Sequence, residues 1–172
     1  MAHPDPVALA LRLSRGAFVS QFPDLFLVGD TIRAPAQRPA VTTILPAISW
    51  DQTIVSERPD LTSGLICPIR KVHAIFPRMI TVGRTPNSDI IVPDDSVSKL
   101  HAYFKALEAP GRFGLADANS TNGTFLNDVQ LSPNVAPTTV EPGARVRFGR
   151  VSLTVVDGGT LWDRIRESSG AS

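Results

Sequence analysis

The second half of the chain is built from short apolar runs that are separated by turn residues. The runs at 145–148 and 151–156 alternate apolar and polar residues, which is the pattern of strands that bury one face. Gly149-Arg150 between these runs and Pro142-Gly143 before them are typical of tight turns. Many short strands with regular turns predict an all-β sandwich or barrel. The candidate strands are 65–70, 79–82, 89–92, 101–107, 112–116, 138–140, 145–148 and 151–156.

The composition is that of a folded protein without a large electrostatic field. Hydrophobic residues make up 42% of the 172 residues and charged residues 19%, which is enough for one domain with a substantial core. Aromatic residues make up only 6%, so the core should consist mainly of Val, Ile, Leu and Ala. A net charge of +1 provides no extended field for nucleic acid or anionic lipid. We therefore expect no nucleic-acid partner, and any anion site must be local.

The first 30 residues predict a short helical extension. Phe18, Phe22 and Phe26 recur every four residues, although Pro23 interrupts any continuous helix. We expect one or two short helices whose phenylalanine face packs against the rest of the chain. A second interpretation, in which this face binds a partner, is open but less favoured.

The other flanking segments are a proline-punctuated stretch and a terminal helix. Residues 31–63 include a possible strand at 41–48, and Trp50 and Ile54 are apolar enough for part of this segment to dock. Residues 161–167 predict a helix with one apolar face. The expected division is a partly docked extension at 1–63, a β domain at 64–158, and a C-terminal helix and tail at 159–172.

The sequence contains a single cysteine, Cys67, so no intrachain disulfide can form. In the run Leu65-Ile66-Cys67 it is expected to be a small buried hydrophobe. The N-terminus lacks the pattern of a signal peptide, and no stretch approaches the ~20 apolar residues of a membrane span. We therefore expect a cytoplasmic protein without a membrane partner.

Hydrogen-bond donors are concentrated in loops between the predicted strands. Arg84 follows a predicted strand and presents a planar fork of donors that matches phosphate oxygens. Gly83 before it lets the backbone bend. One loop later, Ser98 can donate a hydroxyl hydrogen bond and Lys99 supplies a point charge.

The two residues that follow Lys99, Leu100 and His101, should stabilise that loop and not bind a ligand. Leu100 is expected to point inward. His101 is expected to fasten the loop and not to carry protons, because no nucleophile is paired with it in a known order.

Residues 119–124 read Asn-Ser-Thr-Asn-Gly-Thr, which is a run of short polar residues. Asn-Gly alone is typical of a tight turn, but Thr121 and Asn122 can also donate to a ligand. Together with Arg84, Ser98 and Lys99 they form a set of donors without a carboxylate. Such a set suits a dianionic phosphate and does not suit a metal ion or acid–base catalysis. We expect no metal, no cofactor and no catalytic residue.

This ordered set of motifs resembles the signature of forkhead-associated (FHA) domains, which read phosphorylated motifs. The resemblance covers about residues 65–157. The matching positions are Gly83-Arg84, Asp89-Ile90, Ser98-Lys99-x-His101, Ser120-Thr121-Asn122-Gly123-Thr124, Asn127 and Gly143.

The resemblance implies an FHA-type β-sandwich of about eleven strands, with its ligand loops at one apex. It implies that Arg84, Ser98 and Lys99 hold the phosphate of a phosphothreonine. Thr121 would touch the phosphate or the threonine methyl group, and Asn122 would hold the peptide backbone. The residues that support this site would be Gly83, His101 and Gly123.

Two positions depart from the family pattern. Ala144 stands where an acidic residue usually follows the late glycine, which concerns a turn and not the site. Ser96 stands where some members carry an arginine that selects an acidic residue three positions after the phosphothreonine. We therefore expect weak or apolar selection at that position.

The expected function is a phosphothreonine-dependent adaptor in bacterial Ser/Thr kinase signalling. Its partner would be a phosphorylated protein or peptide, and a Ser/Thr protein kinase is a further candidate. The alternative is an interaction protein that binds through its extension or a sandwich face independently of phosphate. A regulatory variant is also open, in which phosphorylated Thr42, Thr43 or Thr53 occupies the site of its own chain or of a neighbour.

Overall fold

The computed structural model describes residues 6–29, 54–55 and 65–169. Within these residues it contains three helices and twelve strands. The helices are α1 (Pro6–Ala10), α2 (Arg15–Gln21) and α3 (Gly158–Ser168). The strands are β1 (Phe26–Gly29), β2 (Ile54–Val55), β3 (Leu65–Pro68), β4 (Ile80–Gly83), β5 (Ile90–Ile91), β6 (Ala102–Ala106), β7 (Phe113–Asp117), β8 (Thr124–Leu126), β9 (Val129–Gln130), β10 (Thr138–Val140), β11 (Arg145–Phe148) and β12 (Val151–Val156).

The strands form two sheets. The seven-stranded sheet has the order β2-β3-β1-β12-β11-β8-β9, and the five-stranded sheet has the order β10-β7-β6-β4-β5. The neighbouring strands are antiparallel except β4 and β5, which run parallel. Antiparallel neighbours suit the short turns that the sequence predicts.

One hydrophobic core lies between the two sheets. Val82, Phe104 and Leu115 of the five-stranded sheet share a buried cluster with Leu27 and Leu153 of the seven-stranded sheet. Because side chains alternate along a strand, each sheet contributes about every second residue to this core. The predicted all-β sandwich is confirmed, with twelve strands among the described residues where about eleven were expected.

Every predicted strand overlaps an observed strand, and the last three match residue for residue. The prediction missed β1, β2, β8 and β9. Three of these four strands have only two or three residues, which is too few for an alternating pattern to appear. Cys67 on β3 is fully buried, as predicted.

A second core covers the outer face of the seven-stranded sheet. Phe18 and Phe22 pack there with Phe26 and Val156 of the sheet and with Ile165 of α3. The ring centroids of Phe18 and Phe22 are 4.8 Å apart, and those of Phe22 and Phe26 are 6.2 Å apart. The prediction that the three phenylalanines pack as core is confirmed. Phe26, however, lies on a strand and not on a helix, because pairing with β12 and β3 fixes its backbone.

Helix α3 confirms the predicted terminal helix and joins the N-terminal helices in one layer. Asp157 caps it by accepting the backbone N–H of Thr160 at 2.7 Å. Trp162 Nε1 donates to the carbonyl oxygen of Leu13 at 3.1 Å. The two ends of the described chain therefore pack together on the same face of the sheet.

Some sequence predictions lie outside the described residues. They are the possible strand at 41–48, the docking of Trp50, and the regulatory role of Thr42, Thr43 and Thr53. In the part of the chain that the structure describes, no helix combines the length and the apolar character needed to cross a membrane.

Several connections meet at one end of the sandwich, which we call the apex. In the five-stranded sheet, Ala102 pairs with Val82 on one side and with Asp117 on the other. The end of β4, the start of β6 and the end of β7 therefore lie side by side. In the seven-stranded sheet the β11–β12 turn lies beside the start of β8, and the β7–β8 connection joins the two sheets. The apex connections are 84–89, 92–101, 118–123 and 149–150.

Candidate functional site

Gly83 and Arg84 mark the point where β4 leaves the sheet at the apex. A Cβ atom on Gly83 would lie 2.0 Å from the carbonyl oxygen of Lys99, so the close approach requires glycine. Arg84 donates its backbone N–H to the carbonyl oxygen of Ser98 at 3.1 Å. Its side chain is exposed and forms no ion pair within the described residues. The guanidinium is thus available to an external anion.

Ser98 lies between Arg84 and the loop at 118–123. Its backbone N–H donates to Nδ1 of His101 at 3.0 Å, and its Oγ accepts the backbone N–H of Thr121 at 3.1 Å. Because this Oγ serves only as an acceptor within the described chain, its hydrogen can be donated to a ligand. Arg84, Ser98 and Thr121 are therefore neighbours at the apex.

His101 connects the two loops at 92–101 and 118–123, the ligand loops, through a fully buried imidazole. Because Nδ1 accepts the N–H of Ser98, the ring hydrogen must be on Nε2, which donates to the carbonyl oxygen of Gly123 at 3.0 Å. The ring also meets Phe148 edge to face, with 5.7 Å between centroids. Burial lowers the pKa of His101, although the bond to Gly123 and the charge of Asp117 act in the opposite direction. A neutral ring thus fixes the spacing of the loops.

Asp117, the last residue of β7, shapes the loop that carries Thr121. Its carboxylate accepts the backbone N–H of Ser120 at 3.1 Å, the Ser120 hydroxyl at 2.6 Å and the Thr124 hydroxyl at 2.5 Å. Asn119 within this loop has a φ of 61°, in the left-handed region that asparagine tolerates better than most residues. Asp117 was not among the site residues predicted from the sequence. The sequence did contain an indication of its role, because an acidic residue just before a run of asparagine, serine and threonine is typical of a turn closed by a side chain.

Asn122 is held toward the neighbouring loop by a small polar cluster. Its Nδ2 donates to the carbonyl oxygen of Ser96 at 2.8 Å. Ser96 Oγ accepts the backbone N–H of Arg150 at 3.0 Å and donates to Asp94 at 2.7 Å. Burial alone would raise the pKa of Asp94, but hydrogen bonds from Ser96 and Arg150 outweigh it and lower the pKa. The Asn122 amide is thus oriented before any ligand binds.

Asp89 supports the site from beneath and does not reach the surface, being 1% exposed. It accepts the backbone N–H groups of Val72 at 2.8 Å, His73 at 2.6 Å and Thr81 at 2.8 Å, and it pairs with Lys71 at 2.7 Å. Burial would raise the pKa of Asp89, but these hydrogen bonds outweigh it and lower the pKa. The residue fastens the β3–β4 connection to β4.

Two further motif positions close turns away from the ligand loops. Asn127 has a φ of 49°, and its Oδ1 accepts the backbone N–H of Arg145 at 2.9 Å. Gly143 has a φ of 89°, which favours glycine, and Ala144 donates its N–H to the carbonyl oxygen of Glu141 at 3.0 Å. The turn at Ala144 therefore closes through the backbone, without an acidic side chain at that position.

The electrostatics of the apex favour an anion. Lys99 and Arg84 are exposed there, and neither forms an ion pair within the described ranges. The nearby carboxylates of Asp94 and Asp117 are occupied by the donors given above. Among the described residues no group of His, Cys, Asp and Glu could hold a metal ion.

The structure places all five predicted ligand residues on the apex loops. It brings Ser98 into contact with the backbones of Arg84 and Thr121, while Lys99 is exposed beside them. Asn122 reaches the same loop as Ser98, but through the carbonyl of Ser96. Their contacts with a phosphate stay predictions.

The inward orientation predicted for Leu100 is wrong, since this residue is 41% exposed. The neighbouring His101 occupies the buried position instead, being 0% exposed.

One region of the chain matches the model of a known domain family. Residues 80–149 match the family model of the FHA domain. This part of the chain is therefore an FHA domain, and the loops that carry the five predicted ligand residues lie inside it.

Particular relatives are similar over less than half of this chain. The oxoglutarate dehydrogenase inhibitor of Corynebacterium diphtheriae is 35% identical over 78 residues, which is 45% of this chain and 50% of that protein. The glycogen accumulation regulator GarA of Mycolicibacterium smegmatis is 36% identical over 78 residues, which is 45% of this chain and 46% of that protein. The chain thus spans about half the length of the curated relatives it matches. A solved structure from an analysis of phosphothreonine-dependent FHA domain interactions is 25% identical and covers 53% of this chain and 82% of that chain, with a TM-score of 0.43.

Proposed function

We propose that this chain is a phosphothreonine-dependent protein-binding adaptor that works in Ser/Thr kinase signalling. The observation that carries the proposal is the position of Ser98, which is bonded on one side to Arg84 and on the other to Thr121. Its hydroxyl hydrogen is available there, beside the two exposed cations Arg84 and Lys99. Residues 64–158 would carry this function, with residues 1–63 and 159–172 as flanks.

The chemistry of the donors matches a phosphate dianion, which has only acceptor oxygens. Arg84 would supply a fork of N–H groups, Lys99 a point charge and Ser98 a hydroxyl hydrogen bond. Thr121 would contact the phosphate or the threonine methyl group. Asn122 donates to Ser96, so its amide oxygen is left to accept a backbone N–H of the bound peptide.

Preorganisation of the loops supports a binding role. His101 and Asp117 fix the two ligand loops, and the bond from Asn122 to Ser96 ties them again near the surface. A site whose loops are already ordered spends less conformational entropy when a ligand binds.

The proposal includes no catalytic step. Both ring nitrogens of His101 are engaged in hydrogen bonds inside the protein, so this histidine cannot accept a substrate proton. The relatives given above are named as an inhibitor and as a regulator, which supports a regulatory binding role. Their bacterial origin supports the bacterial setting that the sequence suggests.

The phosphate-independent alternative finds less support in the described residues. It was based partly on Phe18, Phe22 and Phe26, which are 0%, 5% and 1% exposed and therefore cannot contact a partner in this fold. The proposed phosphothreonine-dependent function does not depend on these three phenylalanines.

Binding to an oriented library of phosphothreonine peptides tests the proposal. The wild-type protein should retain phosphorylated peptides and not their unphosphorylated forms. Arg84→Ala and Ser98→Ala should each weaken binding by about 1.5–3 kcal/mol, or at least about tenfold, because each removes a charge-assisted contact. Arg78→Ala is the matched control, since Arg78 is an exposed arginine on the β3–β4 connection. Equal binding by the wild type and both site variants would overturn the proposal.

A further inference from the structure

A cleft of about 570 Å³ opens between the two sheets at the side where β9 and β10 are their edge strands. Leu115 and Leu126, which are 0% and 8% exposed, belong to the main core and line it. Val129, Leu131 and Val135 line it as well, and no charged residue is among its lining residues. The volume is in the range of about 300–1,000 Å³ that is usual for ligand sites.

The rim of the cleft carries two exposed apolar side chains among polar neighbours such as Ser132 and Thr138. Val129 is 66% exposed and Val135 is 56% exposed, and both belong to the small set of large apolar side chains exposed in the described chain. Exposed apolar side chains beside a cleft are typical of interaction surfaces. The outer backbone groups of the edge strands β9 and β10 have no strand partner in the described structure, so they can pair with an extended segment.

The cleft adjoins the apex. Gln130 lines the cleft and also contacts the ligand loop, because a Cβ atom on Gly123 would lie 2.7 Å from its Nε2. Ala116 also lines the cleft and directly precedes Asp117, the residue that shapes the same loop. A peptide that leaves the phosphate site on this side therefore meets the cleft next.

We propose that this cleft binds apolar residues of the same polypeptide segment whose phosphothreonine occupies the apex. The inference rests on the proposed function and adds a second contact region to it. The bound stretch is extended, because edge strands recognise extended backbone. It is uncharged, because a charged side chain would lose its water without meeting an opposite charge in the lining.

A phosphothreonine peptide library with positions randomised well beyond the nearest neighbours of the phosphothreonine tests this inference. The full-length wild-type protein should enrich apolar residues at a distal position on one side. Val129→Asp and Val135→Asp should abolish that enrichment and weaken binding of the enriched peptides about tenfold, because an apolar contact is replaced by an unpaired carboxylate. Both variants should still require the phosphate.

Ile75→Asp is the matched control, because Ile75 is 62% exposed and lies on the β3–β4 connection, at the opposite end of β4 from the apex. It should keep the distal preference of the wild type. Thermal denaturation will show that the three variants remain folded, which their exposure favours.

The outcomes separate this inference from the proposed function. Phosphate-dependent binding without a distal apolar preference, or with one that survives Val129→Asp and Val135→Asp, would overturn the inference alone. Retention of apolar peptides regardless of phosphate would also overturn it, because the cleft would then act independently of the apex. Failure of every phosphopeptide to bind would overturn both.

Discussion

Replacing His101 by phenylalanine should uncouple the two ligand loops while preserving the shape of the core. Phenylalanine keeps an aromatic ring against Phe148 but can neither accept nor donate the two hydrogen bonds of the imidazole. The backbone N–H of Ser98 would then lose its acceptor. The carbonyl oxygen of Gly123 would keep one partner, the backbone N–H of Gly149 at 3.1 Å.

The cost of this replacement follows from those contacts. Leaving the part-buried Ser98 donor unpaired costs about 1–3 kcal/mol, and losing a second hydrogen bond whose acceptor keeps another partner costs about 0.5–1.5 kcal/mol. We therefore expect His101→Phe to lower the free energy of unfolding by about 1.5–4.5 kcal/mol. Since Ser98 loses one of the three hydrogen bonds that position it, the variant should also bind phosphopeptides at least about tenfold more weakly.

The pH dependence of stability provides a second readout. The pKa of His101 is lowered in the folded protein from its usual value of 6.5. As the pH falls below about 6.5, the unfolded chain takes up this proton before the folded chain does, so the free energy of unfolding decreases. Above that pH the contribution of the neutral ring is complete. In His101→Phe this part of the pH dependence should be absent.

Urea denaturation of both proteins at about pH 7.5 and about pH 5.5 measures both effects, since a histidine titrates in this window. Asp89 and Asp94 have lowered pKa values in the folded state and act only near and below their usual value of 3.8, outside this window. A loss of less than about 0.5 kcal/mol at the higher pH, with the same pH dependence in both proteins, would refute the role of His101 as the connection between the loops.

Three further substitutions test other parts of the structure. Gly83→Ala should destabilise the fold by at least about 1–3 kcal/mol in urea denaturation, because the new methyl group meets the Lys99 carbonyl oxygen; unchanged stability would contradict the close approach. Asp89→Asn should lower the free energy of unfolding by about 3 kcal/mol and weaken the acid dependence of unfolding. The stabilisation by the Asp89 carboxylate is present above about pH 3.8 and is lost as the pH falls through its lowered folded pKa. Acid titration followed by circular dichroism measures this dependence, and an unaltered acid transition would contradict the role of Asp89. Phe18→Ala should cost about 3–5 kcal/mol in thermal denaturation, because Phe18 is fully buried beneath the helices; a loss under about 1 kcal/mol would show that the helical layer contributes little to the fold.

The sequence predicted best those features that depend on local pattern. Strands β10, β11 and β12 were predicted residue for residue, because turn residues bound them and β11 and β12 alternate clearly. The short polar motifs at Arg84, Ser98 and Thr121 could be assigned to one site because their order resembles that of FHA domains. The structure shows why these positions meet, since each lies where a strand of the same sheet or of its neighbour ends at the apex.

Features that depend on distant pairing could not be read from the sequence. The spacing of Phe18, Phe22 and Phe26 has a helical period, yet Phe26 lies on a strand because it pairs with residues of β3 and β12 that are remote in the chain. The roles of Asp117 and Ser96 depend on which loops meet, and Leu100 was misjudged because the buried position belongs to His101. The cleft at Val129 forms between two edge strands, so no local pattern announces it.

The central claim is that binding at the apex requires a phosphate, and one comparison tests it most directly. Isothermal titration calorimetry would measure the affinity for the strongest library-selected phosphothreonine peptide and for the same peptide without the phosphate. The proteins compared are the wild type, Ser98→Ala and Ser20→Ala, a control at an exposed serine. The wild type and the control should bind the phosphorylated peptide at least about a hundredfold more tightly than the unphosphorylated one, because several charge-assisted hydrogen bonds depend on the phosphate. Ser98→Ala should bind the phosphorylated peptide about tenfold more weakly than the wild type, with no change for the unphosphorylated peptide. Equal affinity of the wild-type protein for the two peptides would contradict the claim.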